Sequence, residues 1–391
     1  VACFVISAEQ WRSHDVGDRR LAFLGRSLNA LSGELAKLGI PLEIVDAPRF
    51  VDVPGALLAL AKSLGVDRLV FNAEYPINEK RRDDAVRQTM AANDIDVASA
   101  HGGVTLPPGM VVTKKATPYS VFSPFKRRWL ERLQPDQIRP LPTPHPQGEP
   151  VPAVKLDSLG GVSLELLADD WPAGERAAMR RLDGFVEGVA DRYALDRDHP
   201  SVRGTSKLSA YLSVGALSSN QCLNAAAQHN GGRLRGGAAD AWIDEIIWRD
   251  FYRHVTALFP HVSQGRAFRR AYDALPWRHA PAELAAWQAG ETGYPLVDAG
   301  MRQLQQTGWM HNRLRMVTAM FLSKHLLIDW RHGERFFMQQ LVDGDFAANN
   351  GGWQWSASTG TDAAPYFRVF NPTTQGQRFD PRGTFVRALL P

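Results

Sequence analysis

Cysteine is nearly absent from this chain. Only Cys3 and Cys222 occur among 391 residues. Two cysteines so far apart exclude a disulfide framework, a Cys-based zinc site and a four-cysteine iron–sulfur cluster. They fit a reducing cytoplasm. No run of about 18 apolar residues occurs, so no membrane-spanning helix is expected. Val1 to Ser7 is apolar but too short, and without the basic flank, for a signal peptide. There is no GxxxxGK[ST] loop, and no GxGxxG follows a strand. A nucleotide cofactor would therefore be held by some other device. Strong charge is also lacking. The formal charge is +4 and the pI near 9.1, which permits nucleic acid as a partner without requiring it.

Tryptophan is abundant instead. There are eleven, and eight follow residue 240. Composition leaves open a large aromatic core or a site that stacks flat rings. The length suffices for two or three domains. Over residues 1–100, strands expected at Cys3–Ile6, Leu42–Val45 and Arg68–Phe71 alternate with helices, among them Val53–Leu64 and Asn78–Ala92. That alternation predicts an α/β domain with a doubly wound, Rossmann-like parallel sheet. Residues 101–170, rich in Pro and Gly, read as an inter-domain linker over the surface; Tyr119–Leu133 is the exception, with helix-forming stretches. Residues 171–391 read as an all-α domain, with helices expected at Ala177–Arg192, Gln221–Gln228, Ala241–Leu258, Tyr294–Thr307, Asn312–His325 and Arg331–Leu341.

Four stretches carry candidate chemistry. Gly204-Thr-Ser-Lys-Leu-Ser209 packs three hydroxyls and a lysine into a turn that opens a helix, so it is either a helix cap or a cradle for phosphate oxygens. Glu245, Trp248, Arg249 and Tyr252 share one helix stripe, giving either a surface ion pair or a cleft wall for a heterocycle. Asn312, Arg315 and Met316 form a second polar group. Arg315 can pair with Asp343 or Asp345, and no ligand set favours a metal there. Asn349-Asn-Gly-Gly-Trp-Gln-Trp355 is a poor helix interior, and reads as a glycine-rich turn or a close approach to a ligand.

At these residues the sequence resembles the photolyase/cryptochrome family. The resemblance runs along the whole chain. It is densest in Gly293-Tyr-Pro-Leu-Val-Asp-Ala-Gly-Met-Arg302, Thr307-Gly-Trp-Met-His-Asn-Arg-Leu-Arg315 and Asp343-Gly-Asp-Phe-Ala-Ala-Asn-Asn-Gly-Gly-Trp-Gln-Trp355. It is most similar to bacterial class I enzymes acting on cyclobutane pyrimidine dimers. The resemblance implies a bent FAD in the helical domain. Its phosphates would rest on Thr205, Ser206, Leu208 and Ser209 near Tyr193. Arg249, Arg315, Asp343 and Asp345 would surround the flavin, and Asn349 would face its N5. Trp353, Trp330 and Trp277 match an electron-transfer chain, with the order of the outer two open. Glu245, Trp248, Asn312, Arg313, Met316 and Trp355 match the pocket for the flipped-out dimer, with Arg266, Arg269 and Arg270 on phosphates. The implied reaction is light-driven electron transfer from reduced FAD to a dimer in UV-damaged DNA, with no metal. The alternative is a blue-light photoreceptor of the same fold.

His14, Asn78 and Glu79 match the family's antenna positions for 5,10-methenyltetrahydrofolate, although Gln264 stands where a basic residue is expected. The resemblance further implies a cytoplasmic monomer, nucleoid-associated when on DNA. The family's first strand, of the WFRRDLR type, is not in this sequence, so the expected sheet lacks a central strand.

Overall fold

A computed structural model describes residues 1–390. The N-terminal part opens with β1 (Ala2–Ile6), α1 (Ala8–Ser13), α2 (Asp18–Lys37) and β2 (Leu42–Asp46). It continues with α3 (Val53–Leu64), β3 (Arg68–Asn72), α4 (Ile77–Ala91) and β4 (Asp96–Ala100). β1 pairs with β2, and β3 with β4, both parallel and in register from Ala2↔Leu42 and Arg68↔Asp96.

The described strands pair two by two, so the expected single doubly wound sheet is not seen. No ladder joins the two pairs among the described residues. Each pair is closed by its own crossover helix, and no strand of this chain lies between them. Side chains join the units instead: Leu57 and Ala61 of α3 bury with Val86 and Met90 of α4, closed by Phe50 and Ile95.

Residues 101–170 do more than connect. The exposed path expected there is found at residues 139–150. But α5 (Phe122–Arg132) places Phe125 and Trp129 in the helical core, because its apolar residues recur at helical spacing and need cover. A hairpin, β5 (Ser158–Leu159) with β6 (Val162–Ser163), buries Leu159 against Leu21 of α2.

The rest is helical. α6 (Glu175–Gly188), α7 (Tyr193–Asp196), α8 (Ser209–Val214), α9 (Ser219–His229) and α10 (Asp240–Leu258) build one core with α5. α11 (Pro281–Ala289), α12 (Pro295–Thr307), α13 (Asn312–Met320), α14 (Trp330–Gln340) and α15 (Phe346–Ser356) build a second around Trp287, Trp330 and Trp353. α16 (Pro372–Phe379) and α17 (Thr384–Leu389) close it. The helix expected through His325 stops at Met320 and passes into a π turn, Phe321–His325.

Asp250 fastens the first core to the N-terminal part. Its carboxylate accepts from the Thr105 and Leu106 amides at 3.0–3.2 Å and from Trp129 Nε1 at 3.0 Å. Four bonds to a buried carboxylate offset much of its desolvation and fix the rotation of α10, whose other face makes the site.

Candidate active site

Residues 349–355 are helix, not turn. The two glycines sit inside α15, and packing gives the reason. A Cβ on Gly351 would lie 2.1 Å from the Tyr252 ring of α10, and one on Gly333 of α14 would lie 2.1 Å from Trp353. The glycines let three helices approach closely enough to bring their functional side chains around one space, which outweighs their low helix propensity. Asp345 caps α15, accepting from Ala348 N at 3.0 Å.

That space is a cavity of about 490 Å³ between α8, α10, α13, α14 and α15, within the size range of ligand sites. Most of the expected site residues line it. Tyr193, Thr205, Ser206, Leu208 and Ser209 lie along one part, followed by Glu245, Trp248, Arg249, Asn312, Arg315 and Met316. Asp343, Asp345, Asn349, Trp353 and Trp355 complete the set.

The turn before α8 is built for an anion. Lys207 has φ +51 and Leu208 has φ −84. A left-handed residue followed by a right-handed one aims successive N–H groups into one concavity. A non-glycine residue at positive φ costs free energy and is tolerated where surroundings enforce it.

Counting charges decides what fits. Glu245 pairs with Arg197 at 2.7 Å, and Arg315 with Asp343 at 2.8 Å. Asp345 pairs with Arg253, a partner the sequence reading did not single out, although Arg253 lies one turn beyond Arg249. Two cations remain without a carboxylate among the described residues. Lys207 stands over the Trp309 ring at 4.6 Å. Arg249 donates only to neutral oxygens, namely Gly103 O, Ser219 Oγ and Leu212 O. Burial lowers the Arg249 pKa to about 10. Asp345 and Asp250 lie near enough to favour its charge but neither pairs with it directly, so a further anion beside the guanidinium is favourable. A diphosphate beside a flat heterocycle meets both demands, so the residues present fit FAD.

Asp345 is fixed as an anion. Burial alone would raise its pKa, but Arg253, Arg249 and Arg20 hold the carboxyl well below the usual range. Glu245 moves the other way: burial raises it against the pull of Arg197. Behind the cavity wall, Asn349 Nδ2 donates to the Glu334 carbonyl at 2.9 Å, and Asn350 Nδ2 donates to the Glu334 carboxyl at 2.8 Å. Burial brings that carboxyl to about 7.

Not every expected residue reaches the cavity. Arg313 follows Asn312 on α13 and so points about 100° away. It pairs with Asp198 at 2.6 Å and lies over Phe379 at 4.3 Å. Trp330 and Trp277 belong to the same second core as Trp353; Trp330 is fully buried and Trp277 partly exposed. His14, Asn78 and Glu79 meet elsewhere, at the N-terminal part. Asn78 Nδ2 is 3.0 Å from His14 Nε2, and Glu79 is 3.3 Å from His14 Nδ1. The Ile77 amide donates to Ser263 Oγ, next to exposed Gln264.

One feature of the cavity rim escaped the sequence reading. Trp355 lines the cavity, and its carbonyl accepts from Ala364 N at 3.2 Å. The loop that follows carries Tyr366 and Phe367, exposed at 81% and 73%.

Comparison with known proteins decides the lineage. Residues 1–147 match the family described as DNA photolyase, and residues 242–391 the FAD binding domain of DNA photolyase. The deoxyribodipyrimidine photo-lyases of Salmonella typhimurium and Escherichia coli are 46% and 44% identical, each over the whole chain and 83% of the relative. The chain belongs to the photolyase/cryptochrome family. A bacterial class III photolyase from Agrobacterium tumefaciens superposes with a TM-score of 0.88 at 35% identity, covering all of this chain and 80% of that one. A Synechocystis cryptochrome superposes at 0.83 with 27% identity, covering all of this chain and 83% of that one. The photolyase fold is thus shared by the whole chain. No described helix is long and apolar enough to cross a membrane, and no metal-binding cluster of three or more His, Cys, Asp or Glu occurs among the described residues.

Proposed function

We propose that this protein is a deoxyribodipyrimidine photo-lyase: it binds UV-damaged DNA and splits cyclobutane pyrimidine dimers under light, with FAD as cofactor. One observation carries the reading. A single cavity joins the Thr205–Ser209 turn, with Lys207 and Arg249 free of direct carboxylate partners, to the indoles of Trp248 and Trp355. A bound reduced flavin supplies the light-excited electron that opens the cyclobutane ring and then returns, so the reaction has no net redox change.

The protein's own residues do the rest. Thr205, Ser206, Leu208 and Ser209 hold the diphosphate, with Lys207 and Arg249 balancing its charge. Arg315, locked on Asp343, and Asp345, locked on Arg253, present a fixed field to the flavin ring. Asn349 offers its carboxamide oxygen to the cavity, because its nitrogen is engaged by Glu334. A neutral amide there brings no acidic proton. Trp353, Trp330 and Trp277 carry an electron inward in short hops, with Trp277 as the surface end because it alone of the three is partly exposed.

At the mouth, Trp248 is held flat against Phe122, with ring centroids 3.6 Å apart and 8° between planes. It and Trp355 stack on the dimer, worth about 1–3 kcal/mol per base. Glu245, Asn312 and Met316 complete the pocket. Extruding the lesion costs a few kcal/mol, less than for intact bases. Tyr366 and Phe367, exposed on the loop that follows Trp355, are suited to serve as an apolar wedge in the duplex, and Arg266, Arg269 and Arg270 meet phosphates. Arg313, tied to Asp198, serves the wall rather than the dimer.

His14, Asn78 and Glu79 form the site for a folate antenna. His14 also packs edge-on against Phe50 at 5.5 Å, and its ring nitrogens lie against Asn78 and Glu79, so the three side chains form one polar group. Purification tests the cofactor half of this reading. The protein should carry FAD at close to one equivalent, and a flavin-free protein that cannot be reconstituted contradicts it.

A further inference from the structure

The helix that supplies Asn312, Arg315 and Met316 to the cavity ends in the π turn Phe321–His325. Such turns hold one residue more than an α turn and recur at functional sites. Here the extra residue brings two adjacent donors, Lys324 and His325, against the loop that carries the exposed aromatic pair. Lys324 Nζ donates to the Arg368 carbonyl at 2.9 Å and the Pro365 carbonyl at 3.3 Å. His325 Nε2 is 2.9 Å from the Phe370 carbonyl. A carbonyl only accepts, so Nε2 carries the proton. The His325 ring is itself held by stacking on Phe321, 5.4 Å away and 25° from parallel.

Between these fastened carbonyls stand Tyr366 and Phe367, with ring centroids 5.4 Å apart at 85°. Residues 361–371 contain no helix or strand. Besides the Lys324 and His325 bonds, the loop is tied through Thr361 and Asp362 to Ser120 and Phe122 at its start, and by Ala364 N to Trp355 O. At its exit Phe370 packs on the second core, with Arg313 5.9 Å over its ring, and the tip itself adds only its own turn, Arg368 N to Pro365 O. Burial, with Arg368 nearby, lowers the Lys324 pKa to about 8. That cation is committed to carbonyls rather than to a carboxylate.

We propose that Lys324 and His325 are positioning residues for damaged duplex DNA: they hold the Tyr366–Phe367 pair upright, ready to fill the gap left when two bases leave the stack. This rests on the repair reading above. The clamp also ties the loop to α13, so the wedge and the cavity wall move as one body. A gap exists only in a duplex. A dimer in a single strand has no facing stack to fill, so it should not sense the clamp.

The experiment uses that difference. Lys324→Met keeps the aliphatic stem and removes the donor; His325→Phe keeps the ring against Phe321 and removes the donor. Both, and the double variant, are compared with wild type for affinity toward one thymine dimer in a duplex and the same dimer in single-stranded oligothymidine. A 2-aminopurine opposite the lesion reports unstacking. The proposal expects the double variant to lose about tenfold on the duplex and less than about twofold on the single strand, with a weaker 2-aminopurine signal. FAD content and the splitting rate of bound single-stranded dimer should be unchanged, and Lys324→Arg should restore duplex affinity. Equal losses on both substrates would make Lys324 a plain phosphate contact and overturn the proposal, as would undiminished duplex affinity. Wild-type protein that splits dimers in neither substrate overturns the repair reading itself, a result visible before any variant is made.

Discussion

Asn349 donates its amide hydrogen to the backbone carbonyl of Glu334 at 2.9 Å, and this single bond orients the carboxamide facing the cavity. The carbonyl can only accept, so the nitrogen must face it and the oxygen must face the ligand. An aspartate cannot make that bond. When ionised, Asn349→Asp sets two acceptors against each other, which raises the new carboxyl's pKa and puts a titratable group where the neutral amide faced the flavin. The expected result is retained FAD, an altered spectrum under illumination and a repair yield at least about tenfold lower. Unchanged yield would show that the amide's orientation is irrelevant.

Glu334 itself links stability to pH. Burial raises its carboxyl to about 7, opposed by the Asn350 bond. A carboxyl whose folded pKa exceeds its unfolded value binds more protons when folded. Stability is therefore lost as pH rises from about 4.5 toward 7, and levels off above. Glu334→Gln keeps the acceptor for Asn350 and removes the titration. Its urea midpoint should gain on wild type between pH 5 and 8 by about 1–2 kcal/mol, allowing for partial solvent access. Parallel pH profiles for the two proteins would refute the assignment.

The tryptophans separate two activities. Trp353 lies 5.0 Å from Phe337 and 5.9 Å from Trp287, so Trp353→Phe removes the indole at the cavity while keeping a ring against both, and FAD content measured alongside reports any loss of packing. Photoreduction of oxidised enzyme should fall more than about tenfold, while chemically reduced enzyme repairs at near wild-type yield. Trp277→Phe should slow photoreduction less and leave flavin binding unchanged. Equal loss of photoreduction and of pre-reduced repair in Trp353→Phe would remove it from an electron path.

Glu245 and Arg249 stand four residues apart on α10 and should fail differently. Glu245→Ala should cut repair yield strongly and leave FAD content unchanged, since Glu245 serves the dimer side. Arg249→Met should lower FAD retention at least about tenfold, because no carboxylate pairs directly with its guanidinium, which donates only to neutral oxygens. Loss of FAD in both variants, measured by absorbance after desalting, would erase the division of the cavity.

Much of this arrangement was legible in the chain. α3 begins and ends where its apolar spacing and Gly65 predict. The stripe Glu245, Trp248, Arg249 and Tyr252 all faces the cavity, since periodicity alone fixes which residues share a helix face. What was hidden depends on third parties. Helix at 346–356 requires Tyr252 and Trp353 to claim the space of two missing Cβ atoms, and no local propensity records that. Arg253 was overlooked because its partner Asp345 is 92 positions away. β4, Asp-Val-Ala-Ser-Ala, has too little apolar alternation to read as a strand without β3 beside it. The division of the sheet into two pairs follows from which strands meet edge to edge, which the alternation of strands and helices does not specify.

Light-dependent splitting of a thymine dimer is the activity by which this protein stands or falls as a repair enzyme. Reduced, FAD-loaded protein is mixed with UV-damaged oligothymidine, and absorbance near 260 nm is followed in the dark and under blue light. Thymine absorbance should recover only under illumination, with the flavin spectrum unchanged after many turnovers. No recovery by protein that binds both FAD and the damaged strand would contradict the repair reading.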